Sequence, residues 1–227
     1  MNSSPIGLKD DCFAFFNCLL STCELRWSSN EIPIPLCVEG RPYVAGLELN
    51  LQEHSRRQLA GLEAVTSTGL LHALWELPYG VPFPTQSFNV LDRATLESAE
   101  DGWVEKQDDT FVRLYQPVGT IRSIIVSDRS LARAVAKAAS HSPTIRRFAI
   151  WRTSTTGKSP NAVETLLRAR MLGVGVIAVD DAQFVELVAP AEAIRSRPVV
   201  FRWWQAELAY RNWISSTAPI ESAVASV

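Results

Sequence analysis

The amino-acid sequence predicts an α/β fold: a central mixed sheet with helices on both faces, joined to a helical N-terminal extension. Three observations predict it. Short apolar runs alternate with helix-length segments between Ile121 and Val188. Those runs are rich in Val and Ile, as expected of parallel strands buried on both faces. Each interval holds a covering helix, except the last, which is short enough only for an antiparallel hairpin.

Asp10 or Asp11 is placed to cap a helix carrying Phe13, Phe15, Phe16, Leu19 and Leu20. Asn30 to Pro35 reads as a proline-rich connector. Leu36–Val38 and Tyr43–Ala45 read as a hairpin turning at Gly40. Leu47 to Leu77 has apolar residues at three- and four-residue steps and reads as helical, broken at Gly69. Pro78 to Pro84 (PYGVPFP) reads as a rigid loop and the best internal boundary. The expected organisation is therefore 1–84 as a helical extension packed on the core, and 85–227 as the α/β core with an aromatic C-terminal helix.

Arg93 to Ala99 reads as a short helix, and Gly102 to Val112 as a hairpin around a polar turn at 106–109. Ile121–Val126 is a strand, followed by a helix through Leu131, Val135 and Ala138 that Ser127 or Asp128 would cap. Arg147–Trp151 is a strand. Ser159-Pro160 opens a helix through Leu172, with Gly173 closing it. Val174–Val179 and Phe184–Val188 pair as a hairpin. A last helix spans about Trp203 to Ile214.

Basic residues number 22 and acidic residues 24, so the net charge of −2 gives no global attraction to nucleic acid. No apolar run approaches the roughly 20 residues that span a bilayer. Cys12 to Cys23 follows Lys9-Asp10-Asp11 rather than a basic segment, and reads as a buried helix. No membrane partner and a cytoplasmic location are expected. Cys12, Cys18, Cys23 and Cys37 are spaced more widely than metal-binding pairs, and read as buried apolar thiols. His72 reads as a core residue, and His54 and His141 as solvated.

Thr156-Gly157-Lys158-Ser159 lies between a strand and a helix, the context of a phosphate-binding loop. Arg152 stands where that pattern needs its first glycine. The segments IRSIIVSDRSLARAVAKAASH, RRFAIWRT and ARMLGVGVIAVDDAQFVELVAPA carry a second pattern. From Ile121 to Ala191 they resemble the core of the restriction-endonuclease-like, or PD-(D/E)xK, superfamily. In that family acidic side chains and a lysine on the first of these strands hold a divalent metal and orient the attacking water. Here Ile124-Ile125-Val126-Ser127-Asp128 contains no Glu-x-Lys, and one carboxylate is too few for octahedral Mg²⁺.

The resemblance therefore implies a pseudo-nuclease with no catalytic residues, no metal site and no cofactor. It would bind nucleic acid or a protein partner in a DNA-processing, mobile-element or defence system. Arg129, Arg133, Arg146, Arg147, Arg152 and Lys158 are the candidate phosphate contacts. Trp203, Trp204, Tyr210 and Trp213 are the candidate partner-binding residues, because aromatic side chains concentrate at interfaces. Two alternatives stand beside this reading. One is an oligomeric assembly protein that associates through the aromatic helix. The other is a nucleotide-dependent enzyme using the Gly157-Lys158-Ser159 turn.

Overall fold

The computed structural model describes residues 30–38, 41–128, 130–152, 161–180, 183–194 and 200–224. In chain order these form β1 (Glu31–Val38), β2 (Arg41–Leu49), α1 (Leu51–Ala60), α2 (Thr68–Glu76), β3 (Pro82–Pro84), α3 (Val90–Glu97), β4 (Val104–Gln107) and β5 (Thr110–Arg113). There follow β6 (Gly119–Ser127), α4 (Leu131–Ala139), β7 (Arg146–Arg152), α5 (Ala162–Met171), β8 (Val174–Asp180), β9 (Gln183–Val188) and α6 (Val200–Val224). The chain divides into two compact units, with breaks after Leu47, after Thr120 and after Ser196. The expected boundary near residue 84 lies inside the second of them.

The first unit is a mixed six-stranded sheet in the order β1-β2-β6-β7-β8-β9, with α4 and α5. β6, β7 and β8 run parallel, and β9 returns antiparallel to β8. α4 buries Leu131, Ala134, Val135 and Ala138, a single stripe at steps of three and four. Its N-cap is Ser130, whose hydroxyl accepts from the Arg133 N–H, not Ser127 or Asp128. Gly173 (φ 67°) ends the turn after α5 in a left-handed conformation that favours glycine.

The expected hairpin strands Leu36–Val38 and Tyr43–Ala45 lie in β1 and β2, which belong to the main sheet rather than to a helical N-terminal extension. β1 runs through Pro33 and Pro35, in what reads from sequence as a connector. It is an edge strand, the position that tolerates missing N–H donors. Cys37, in the same strand, is exposed rather than buried. The expected helix at Cys12–Cys23 and the Gly40 turn lie outside the described residues.

The second unit holds α1, α2, α3, the three-stranded antiparallel sheet β3-β5-β4, and α6. The expected helix from Leu47 starts only at Leu51, because Leu47 to Leu49 finish β2 and Asn50 caps α1 through the Glu53 N–H. The helical break falls at Gly61 (φ 66°), the left-handed cap of α1. Gly69 lies within α2, which Ser67 caps. The PYGVPFP segment is not only a loop: Pro82–Pro84 pairs with β5. Leu71, Leu74, Leu77, Leu96, Trp103 and Tyr115 are buried in one cluster with Trp203 of α6. No helix among the described residues is long and apolar enough to cross a membrane.

Candidate functional site

The strongest electrostatic feature is buried in the second unit, and sequence reading missed it. Arg57 and Glu207 are fully buried, and Glu53 is nearly so. Arg57 bonds Glu53 through Nε (2.8 Å), and Glu207 through Nη1 (2.7 Å) and Nη2 (2.8 Å). Nη2 also donates to the Gln116 carbonyl. The Tyr115 hydroxyl and the Val65 N–H complete the shell of Glu207, and Arg56 binds both oxygens of Glu53. The rings of Trp103, Tyr115 and Tyr210 lie 4.7, 5.3 and 5.4 Å from the Arg57 guanidinium carbon. Burial alone would lower the Arg57 pKa, but Glu207, and then Glu53, more than offset it and hold it above its ordinary value. Burial, reinforced by the Glu207 charge, pushes the Tyr115 hydroxyl well up. Two guanidinia thus balance two carboxylates, and the cluster ties α1, the Val65 segment, the Tyr115 segment and α6 together. Such a satisfied cluster is a fastening between elements.

The aromatic residues of the last helix join this packing. Trp203 and Tyr210 are buried, and Trp204 and Trp213 are half-buried. The Tyr210 hydroxyl lies 3.0 Å from His54 Nδ1, and Trp213 packs edge-on to the same imidazole. His54 is therefore not a solvated helix-end residue. Burial, then the Arg57 charge, lowers its pKa. His72 is the reverse: its side chain is 57% exposed, 3.8 Å from Asp92.

The arginines named from sequence do not form one face. Arg146 pairs with buried Glu31, which also accepts from Ser123. Arg147 is buried and donates to the carbonyls of Ala139, His141 and Leu172. It fastens the turns that follow α4 and α5. Arg133 is exposed, 3.9 Å from Asp128, and Lys137 lies 2.5 Å from the same carboxylate. Arg152 ends β7. Arg129 and the Gly157-Lys158-Ser159 turn lie outside the described residues. Among the described residues no three His, Cys, Asp or Glu side chains gather closely enough to hold a metal ion.

The surface that stands out is on the first unit. α5 buries only Thr165 and Ala169. Val163, Leu167 and Met171 form a row at four-residue spacing, yet are 73%, 59% and 87% exposed. Val185 and Leu187, alternate residues of the edge strand β9, are also exposed. Between α5 and β9 runs a groove of about 400 Å³, lined by Val163, Leu166, Leu167, Arg170, Leu187, Val188 and Ala189. Glu164, Arg168 and Arg170 are exposed beside the row and make no ion pair among the described residues. Contiguous exposed apolar surface with a polar rim marks an association site. Sequence periodicity does show the 163–167–171 row, but not whether it faces inward.

No family model, no curated protein and no solved structure matches the chain. The fold itself defines an α/β protein with a mixed six-stranded sheet and a small antiparallel sheet.

Proposed function

We propose that the chain is a non-catalytic assembly module of restriction-endonuclease-like ancestry, which pairs with a second copy of itself through α5. The observation that carries this reading is the exposed row Val163, Leu167 and Met171. Its charges favour a second copy over an unrelated partner. Two antiparallel α5 helices related by a two-fold axis at Leu167 set Val163 level with the partner's Met171. Glu164 then falls on the same flank as the partner's Arg168, within one helical turn. Each copy supplies both halves of the match, as an isologous interface requires. The order of strand, helix, strand, helix, strand in β6 to β8 supports the ancestry. The engagement of Glu31 by Arg146 and Ser123, and of Asp128 by Lys137 and Arg133, supports a non-catalytic role.

Nucleic-acid binding is the weaker reading, because Arg146 and Arg147 already serve Glu31 and three backbone carbonyls.

The test is sedimentation velocity of the full chain from about 1 to 100 µM, a range that brackets a micromolar Kd. Glu164→Arg is expected to weaken the dimer, and Glu164→Arg combined with Arg168→Glu to restore it. A monomer throughout, or a dimer indifferent to both changes, rejects the reading.

A further inference from the structure

Arg113, at the end of β5, contrasts with Arg57 in the same unit. Its Nη1 donates to the Leu74 carbonyl (2.9 Å). Its Nε is buried without an acceptor, and among the described residues no carboxylate pairs with the guanidinium. A half-buried guanidinium that lacks a counter-charge is costly, and an arriving anion removes that cost. Burial lowers the Arg113 pKa, as expected for a cation without a carboxylate partner.

The surroundings define what kind of anion fits. Arg113 lines a cleft of about 490 Å³ with Trp75, Leu77, Pro78, Phe83 and Trp203, and with Glu76. The Trp75 and Trp203 rings meet edge-on, with centroids 5.0 Å apart. The guanidinium carbon lies 5.5 Å from the Trp203 ring and 5.9 Å from the Tyr79 ring. The PYGVPFP segment builds one side of the cleft, and Gly80 N–H bonding to the Arg113 carbonyl holds it to β5. One unmatched cation beside flat apolar walls selects a single negative charge carried on a flat apolar body. Exposed Glu76 disfavours a second negative charge on the ligand.

We propose that this cleft binds a monocarboxylate borne on an aromatic ring, with Arg113 as its cationic donor and Trp75, Phe83 and Trp203 as its walls. Free aromatic acids and the C-terminal carboxylate of a peptide ending in an aromatic residue share this chemistry. The experiment is calorimetric titration of the full chain with four probes. These are phenylacetate, phenylacetamide, N-acetyl-Gly-Gly-Phe, and the C-terminal amide of that peptide. At least one acid is expected to bind about tenfold more tightly than its own amide, the preference of a charge-assisted bond. Which acid shows the preference identifies the source. Arg113→Gln should abolish the preference. Glu76→Gln, a surface change that leaves the fold intact, should tighten acids about threefold and leave amides unchanged. Acids and amides that bind equally, or no binding of any probe at about 1 mM, overturn the proposal. So does an acid preference that ignores both substitutions.

Discussion

Replacing Arg57 by Met keeps the bulk of the side chain and removes the cation at the centre of the second unit. Glu53 retains Arg56, but Glu207 retains only the Tyr115 hydroxyl and the Val65 N–H as donors. A fully buried carboxylate then faces no charge, a change that costs about 3–5 kcal/mol. Loss of the stacking over Trp103, Tyr115 and Tyr210 adds to it. At about 2–4 °C per kcal/mol for a chain of this size, Tm should fall by about 6–20 °C. Differential scanning calorimetry of wild type, Arg57→Met, Glu207→Leu and the double variant is the assay. Removing both charges leaves no orphan on this pair, so the double variant should be more stable than additivity predicts, by about 1–3 kcal/mol. An Arg57→Met variant within about 1 kcal/mol of wild type would refute the fastening argument. A strictly additive double variant would do the same.

Two further outcomes follow from single residues. His54 has a folded pKa below its ordinary value, owing first to burial and then to Arg57. Its stabilising contribution is present above about pH 6.5 and is lost as pH falls through the folded value, where the unfolded chain binds the proton more readily. Denaturant midpoints measured from pH 8 to 5 should therefore decline, and His54→Gln should flatten the decline; an unchanged slope contradicts it. Gly173→Ala would strain a left-handed residue and place a Cβ 2.8 Å from the Ala191 Cβ and 3.3 Å from Arg147 Nη2. A loss of about 2–3 kcal/mol is expected by urea titration, against about 1 kcal/mol for Gly80→Ala, where φ is 67° but the space is open. Equal losses at the two glycines would show that the close contact carries no cost.

The part of the fold most legible in sequence is the run from β6 to β9. Its strands are short and apolar, its helices have periodic faces, and Gly173 marks a turn that only left-handed backbone completes. β1 was hidden by Pro33 and Pro35, which argue against a strand unless the strand is known to lie at an edge. Leu47 to Leu49 share a helical spacing with α1, and only the pairing of β2 within the sheet removes them from it. The Arg57 cluster shows a different limit. The Glu53–Arg57 spacing of four is visible, but Glu207 lies 150 residues further along, and nothing local indicates that the three meet. The arginines at 146 and 147 read as a basic pair, whereas the strand points one at Glu31 and turns the other under the ends of two helices. The apolar row of α5 was legible as periodicity, but its outward orientation depends on what Thr165 and Ala169 pack against.

Sedimentation equilibrium of wild type beside Leu167→Glu measures the pairing through α5. Leu167 sits at the proposed two-fold axis, 59% exposed in the single chain. Its substitution removes about 1.5 kcal/mol of burial from each copy and opposes two carboxylates, so Kd should rise about 100-fold or more. Wild type should form a concentration-dependent dimer, and Leu167→Glu should stay a monomer at the same concentrations. Equal masses for the two proteins would contradict the pairing.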